Sequence, residues 1–294
     1  MGNHRFFLLG LLLTGGLASC SQQDVGITDE EIFQSNKADI ERYASSKGLS
    51  TTATASGLYY AVKQPSSSTV TPAVGQEVEF TYTLSVLSNN NGTVTDRFVD
   101  SAYATRPRYL HLANVSSGLS EGLARMREGE QAILLLPSVY AFGRDGAGNG
   151  VVPPNAPVRI DVLLRRTRTE DQQINEYLTA NNLRPTEVTV RGVRFIKTLS
   201  IPTGAAPSNG QRLSVRYRGQ LLREKSAFDS TGTGLYTTTI GQSVAGFDEG
   251  LSKLRVGEKA TIIFPSAMGY GSSGRGTIPP YAPMRFDIEL VSAQ

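Results

Sequence analysis

Apolar and polar residues alternate with a period of two along several short stretches, and lengthen to helical spacing in only a few places. The clearest alternation places Leu213, Val215 and Tyr217 on one face and Ser214, Arg216 and Arg218 on the other, the pattern of a half-buried strand. Two helices announce themselves by their starts. Thr28-x-x-Glu31 is a capping box, followed by Ile32, Phe33, Ile40 and Tyr43 at roughly helical spacing, with Gly48 as the stop. Thr169-x-x-Gln172 opens a counterpart with Ile174, Tyr177 and Leu178 inward and Pro185 beyond its end. Each helix leads into a short strand, Gly57-Leu58-Tyr59-Tyr60 and Gly192-Val193-Arg194-Phe195. Residues 249–254 read as part of a short helix for a sheet to wrap around.

These elements occur twice because the chain is written twice. Gly75-Gln76-Glu77-Val78 returns as Gly210-Gln211-Arg212-Leu213, and Glu121-Gly122-Leu123 returns as Glu249-Gly250-Leu251. An apolar strand ending in Pro-Ser follows in each copy, at 132–138 and 260–266. The most specific echo is Pro153-Pro154-Asn155-Ala156-Pro157 with Pro279-Pro280-Tyr281-Ala282-Pro283. Such ordered landmarks imply a duplicated α+β domain, each copy an antiparallel sheet plus one short helix, preceded by an N-terminal helix. The expected boundaries are 28–168 and 169–294, and 294 residues suit two domains.

Composition narrows the chemistry. A net charge of +3 with interleaved signs argues against a nucleic-acid surface. The basic run Arg165-Arg166-Thr167-Arg168 reads as a solvated strand end. One cysteine and two histidines leave no pair for a disulfide and no Cys/His zinc site. His111 lies in the alternating stretch Tyr109-Leu110-His111-Leu112 and reads as a solvent-facing strand residue. The lone cysteine, Cys20, follows Leu17-Ala18-Ser19 after a basic start and the apolar run 6–13. That run is too short to span a bilayer and reads as a signal peptide over 1–19. Leu-Ala-Ser-Cys resembles the bacterial lipobox. It predicts acylation of Cys20, a lipidated tether over 20–27 and a lipid-anchored, cell-envelope location.

The second copy resembles the FKBP-type peptidyl-prolyl cis-trans isomerases over about 192–292. The resemblance is carried by Val215-Arg216-Tyr217-Arg218-Gly219, Ala227-Phe228-Asp229-Ser230, Val244-Ala245-Gly246-Phe247-Asp248-Glu249-Gly250, Gly269-Tyr270-Gly271, Ile278-Pro279-Pro280 and Phe286-Asp287-Ile288-Glu289-Leu290. It implies two tandem FKBP-like domains, each a twisted antiparallel sheet wrapped over a short helix, with an apolar pocket between sheet and helix. The pocket positions are Tyr217, Phe228, Asp229, Tyr236, Val244, Phe247, Tyr270, Ile278 and Phe286. Phe247 stands at the floor, where the family usually has tryptophan, and the chain has no tryptophan. By the same resemblance Phe228, Phe247, Ile278 and Phe286 hold the proline ring. The Val244 N–H and the Tyr270 hydroxyl meet substrate carbonyls, and Asp229 supports Tyr217. No cofactor or metal is implied.

In the first copy Val99 replaces Phe228, Arg108 replaces Tyr236, Ser116 replaces Val244, Leu119 replaces Phe247, Phe142 replaces Tyr270 and Ile160 replaces Phe286. A degenerate pocket is therefore expected in the first domain and catalysis in the second. The implied partners are proline-containing segments of unfolded or exported proteins, with the membrane reached through the anchor. Two competing readings are a non-enzymatic peptide-binding chaperone and a structural envelope lipoprotein.

Overall fold

The computed structural model describes residues 27–113, 117–208 and 210–294. The leader, Cys20 and Ser116 lie outside these described residues. The described residues divide into two compact units, 27–74 with Val78–Thr167 and Gly75–Glu77 with Arg168–Gln294.

The first unit runs α1 (Asp29–Ser46), β1 (Thr52–Ala53), β2 (Tyr59–Gln64), β3 (Glu77–Asn90), β4 (Thr93–Ala102), β5 (Arg108–His111), α2 (Gly118–Arg125), β6 (Gln131–Leu136) and β7 (Val158–Arg168). The second repeats the order with α3 (Glu170–Ala180), β8 (Glu187–Val188), β9 (Arg194–Leu199), β10 (Leu213–Leu221), β11 (Asp229–Ser230), β12 (Tyr236–Thr238), α4 (Ala245–Ser252), β13 (Lys259–Phe264) and β14 (Met284–Ala293). The first antiparallel sheet has the strand order β1-β2-β6-β7-β3-β4, with β5 also on β3. The second has β11-β10-β14-β13-β9-β8, with β12 also on β10. This is the α+β architecture expected, present twice.

Both prefatory helices start and stop as their sequences dictate. The capping boxes of Thr28 with Glu31 and Thr169 with Gln172 are both formed. At the ends, Gly48 and Asn182 take positive φ, and Leu49 and Leu183 donate back to the Ala44 and Leu178 carbonyls, which satisfies the last helical turn. Ile32, Ile40 and Tyr43 of α1 and Ile174 and Leu178 of α3 are buried as the periodicity requires.

The short helices α2 and α4 approach their sheets unusually closely, and glycines allow it. A Cβ on Gly118 or Gly122 would lie 2.4 Å from Leu136 or Leu134, and one on Gly246 or Gly250 would lie 2.4 or 2.6 Å from Phe264 or Ile262. Each pair is one helical turn apart, so a whole bare face presses on the sheet. That contact sets the depth at which the remaining side chains of α4 meet the sheet.

Two sequence readings need correction. Arg168 is not solvated: it is 4% exposed and pairs with Glu176 Oε2 at 2.7 Å. Strand β7 runs straight into the cap of α3, so the arginine is enclosed, and an enclosed cation needs a carboxylate partner. His111 is half-buried rather than solvent-facing, because β5 is short and packs beside the core residue Leu112.

Glu258 is a buried carboxylate of the second unit held by several donors. It is 1% exposed and accepts from Lys197 Nζ at 2.8 Å and from the Ile201 and Arg255 N–H groups at 3.1 and 2.9 Å. Burial alone raises its pKa, but Lys197 and the two N–H groups outweigh burial and hold it down to about 2. The folded value lies below the unfolded value of 4.5. The stability this group supplies is therefore complete above that value and is lost as the pH falls through about 2. Glu258→Gln should lower the urea midpoint near neutral pH and flatten the acid limb of the stability profile. An acid limb of unchanged slope in the variant would assign it to other carboxylates.

Candidate active site

A cavity of the second unit is built by β10 and β14, the start of α4 and the adjoining loops. It measures about 370 Å³ and is lined by Tyr217, Phe228, Asp229, Tyr236, Gln242, Ser243, Val244, Phe247, Tyr270, Arg275 and Phe286. The sheet register explains why residues so far apart in sequence meet. Gly219 pairs with both Asp229 of β11 and Phe286 of β14, and Val215 pairs with Tyr236 of β12. The bare face of α4 then lowers Phe247 onto the same spot.

An aromatic bowl results, centred on Phe286. Its ring lies 5.3 Å from Phe247, 5.6 Å from Phe228 and 6.0 Å from Tyr217, and it stacks on Phe264 beneath at 5.7 Å. Tyr217 also meets Tyr236 and Phe247 edge-on, at 5.7 and 5.5 Å. Such edge-to-face arrangements fix ring orientation. The bowl exists only because position 219 carries no side chain. A Cβ there would lie 2.7 Å from the Phe286 ring and 2.8 Å from Phe228.

Polar groups are few and placed at the margin. The Tyr217 hydroxyl donates to Asp229 Oδ2 at 2.6 Å. Burial first, then the hydrogen bond and charge of Asp229, push the tyrosine pKa up, so the hydroxyl stays a donor at neutral pH. Val244 is the N-cap of α4 in extended conformation, and its own N–H has no intrachain acceptor among the described residues. Asp248 Oδ2 accepts from the Ser243 N–H at 3.1 Å and tethers the wall formed by 242–244. Burial raises the pKa of Asp248, opposed by the Ser243 and Gly241 N–H groups.

Eight of the nine expected pocket residues thus line one cavity. Ile278 does not line it. It is 7% exposed and packed in the core, with its backbone bridged to Arg275. Gln242, Ser243 and Arg275 line the cavity without having been anticipated. They sit on loops, where neither apolar periodicity nor repeat matching gives a signal.

The first unit retains the frame and changes the contents. The Tyr82 hydroxyl donates to Asp100 as Tyr217 does to Asp229. Leu84 pairs with Asp100 as Gly219 pairs with Asp229, so Leu84 is the counterpart of the bare position. Leu84 is 1% exposed and belongs to the core cluster together with Leu119 and Ile160. A register shift after Leu84 leaves Val99 as the extra residue of a bulge. Burial and Asp100 raise the Tyr82 pKa and the nearby Arg108 opposes them, whereas the second unit places the Tyr236 ring against Tyr217. Phe142 is half-buried and has no hydroxyl to offer.

Comparison with known proteins matches this duplication. The family model described as FKBP-type peptidyl-prolyl cis-trans isomerase fits residues 68–165 and 204–291. Human peptidyl-prolyl cis-trans isomerase FKBP9 is 31% identical over 216 residues, covering 68% of this chain and 33% of the relative. FKBP15-3 of Arabidopsis thaliana is 38% identical over 96 residues, 32% of this chain and 67% of the relative. The crystal structure of FkpA from Escherichia coli superposes with a TM-score of 0.39 and 23% identity, over 42% of this chain and 59% of that one. The chain spans about a third of the length of FKBP9. With two matched segments, each carrying its own sheet and helix, the chain belongs to the FKBP-type peptidyl-prolyl cis-trans isomerase family.

Proposed function

We propose that this protein catalyses cis–trans isomerisation of X–Pro peptide bonds, mainly at the cavity of the second unit. The observation that supports this most is the aromatic bowl of Tyr217, Phe228, Phe247 and Phe286 with hydrogen-bonding groups only at its margin. Rotation about a prolyl amide must break resonance worth a barrier of about 18–20 kcal/mol. A planar amide is more polar and better hydrated than a twisted one, so a cavity that removes water favours the twisted form. The rings of Phe228, Phe247 and Phe286 grip the proline. The Val244 N–H and the Tyr270 hydroxyl fix the flanking carbonyls, and the Tyr217–Asp229 pair supplies a fixed dipole beside the rotating bond. Stabilising the twisted state more than the planar one produces the rate.

The first unit serves a different purpose in this reading. Its bare position is filled by Leu84, and Val99, Leu119 and Ile160 stand where the second unit has Phe228, Phe247 and Phe286, whereas Phe98 and Tyr103 are 57% and 65% exposed. These exposed aromatics favour holding of extended client segments over turnover. The test is to express 27–168 and 169–294 separately, confirm a cooperative melt for each, and assay isomerisation of a proline tetrapeptide. Activity is expected in the second fragment and at least about tenfold less in the first, a gap of roughly 1.4 kcal/mol in barrier. Near-equal rates would refute the division of labour.

The clients would be exported chains, whose uncatalysed X–Pro steps take tens to hundreds of seconds. This rests on the run ending in Leu17-Ala18-Ser19-Cys20. Cys20→Ser should move the protein from the membrane pellet to the soluble fraction, since acyl chains supply the anchoring energy. A mutant that still pellets and partitions into detergent would remove the anchor from the proposal.

A further inference from the structure

We propose that Arg275 makes the second cavity selective for a carboxylate side chain on the residue immediately before the substrate proline, an inference that rests on the isomerase reading above. Among the residues lining that cavity the ionisable charges are Asp229 and Arg275. Asp229 is engaged by the Tyr217 hydroxyl. Arg275 is exposed and, among the described residues, makes no ion pair.

Its backbone is nevertheless held firmly. The Arg275 N–H donates to the Ile278 carbonyl and the Ile278 N–H to the Arg275 carbonyl, both at 2.9 Å, closing a two-residue hairpin. Gly274 at its foot takes a φ of +65°, and a Cβ there would lie 2.4 Å from the Ile278 oxygen. The guanidinium carbon lies 5.6 Å from the centre of the Tyr270 ring, within the range of a cation–π contact. A rigid hairpin therefore presents a cation beside the tyrosine whose hydroxyl meets the substrate backbone.

The counterpart hairpin in the first unit is bridged between Ala147 and Val152 and carries no charge at this place. The cation thus accompanies the aromatic bowl and is absent where the bowl is filled. With the proline ring seated among Phe228, Phe247 and Phe286, the preceding residue stands at the mouth. A glutamate or aspartate there meets an unpaired guanidinium beside apolar walls, where charge attraction is screened less than in open water. A lysine there meets repulsion.

The test uses residues 27–294 and tetrapeptides Ala-X-Pro-Phe with X glutamate, glutamine or lysine, comparing wild type, Arg275→Gln and Arg275→Lys. Both kcat/KM and the equilibrium binding of each peptide are measured. At low ionic strength glutamate should exceed glutamine by about threefold and lysine by about tenfold, the scale of partly exposed ion pairs. The preference should shrink to near parity in Arg275→Gln, persist largely in Arg275→Lys, and vanish near ~1 M salt, where the screening length is about 3 Å. Equal rates for glutamate and glutamine in the wild type, or an undiminished preference in Arg275→Gln, overturn the inference while leaving isomerase activity standing. Glutamate-preferring binding without turnover leaves the selectivity standing and overturns the isomerase reading. Neither binding nor turnover overturns both.

Discussion

Gly219→Leu should extinguish the activity of the second unit while leaving its sheet intact. The backbone at this position does not take the left-handed conformation, so leucine meets no dihedral penalty. The obstacle is space, since a Cβ alone falls 2.7 Å from Phe286 and 2.8 Å from Phe228. Those rings must swing into the cavity, and the leucine methyl groups follow them. Overpacking of this kind costs about 1–3 kcal/mol, which a domain of this size tolerates. The first unit carries leucine at the matching place, with valine and isoleucine in place of the two phenylalanines. Gly219→Leu combined with Phe228→Val and Phe286→Ile should therefore regain stability, as read by the urea midpoint, and remain inactive. If the single variant keeps wild-type kcat/KM, the cavity is not where proline binds.

Phe286→Ala should produce the largest combined loss of stability and activity. This ring contacts Tyr217, Phe228 and Phe247 in the bowl and stacks on Phe264 below it. At 5% exposure it belongs to the core as much as to the cavity. Truncation of a buried phenylalanine costs about 3–5 kcal/mol, and loss of a central binding contact worth about 2 kcal/mol or more lowers kcat/KM by at least roughly tenfold. Phe286→Leu separates the two effects. It keeps most of the volume, so stability should fall by less than about 1.5 kcal/mol, while loss of the aromatic edge still lowers turnover. A fully active Phe286→Leu would show that shape alone, not the ring, serves catalysis.

Much of the molecule was legible from residue order. The capping boxes at Thr28 and Thr169 placed both prefatory helices, because a helix start is a local event satisfied by side chains three residues apart. Alternation placed β10, because a strand with one buried face must change polarity at every residue. The resemblance of the second copy to the FKBP family located most of the cavity wall, since its ordered landmarks carry positions as well as elements.

Other features depend on contacts between distant segments. Nothing local marks Gly219 and Leu84 as counterparts that decide whether a bowl exists. Their meaning comes from register, which sets each beside an aspartate on the neighbouring strand. Arg168 looked solvated in a basic run, yet β7 leads directly into α3 and encloses it with Glu176. Ile278 carried a family landmark, but its hairpin turns it into the core and puts Arg275 at the cavity instead. Helix caps and alternation follow from interactions over a few residues. Which side chain faces a shared cavity follows from register, glycine contacts and loop closure, and these exist only once the sheet has formed around its helix.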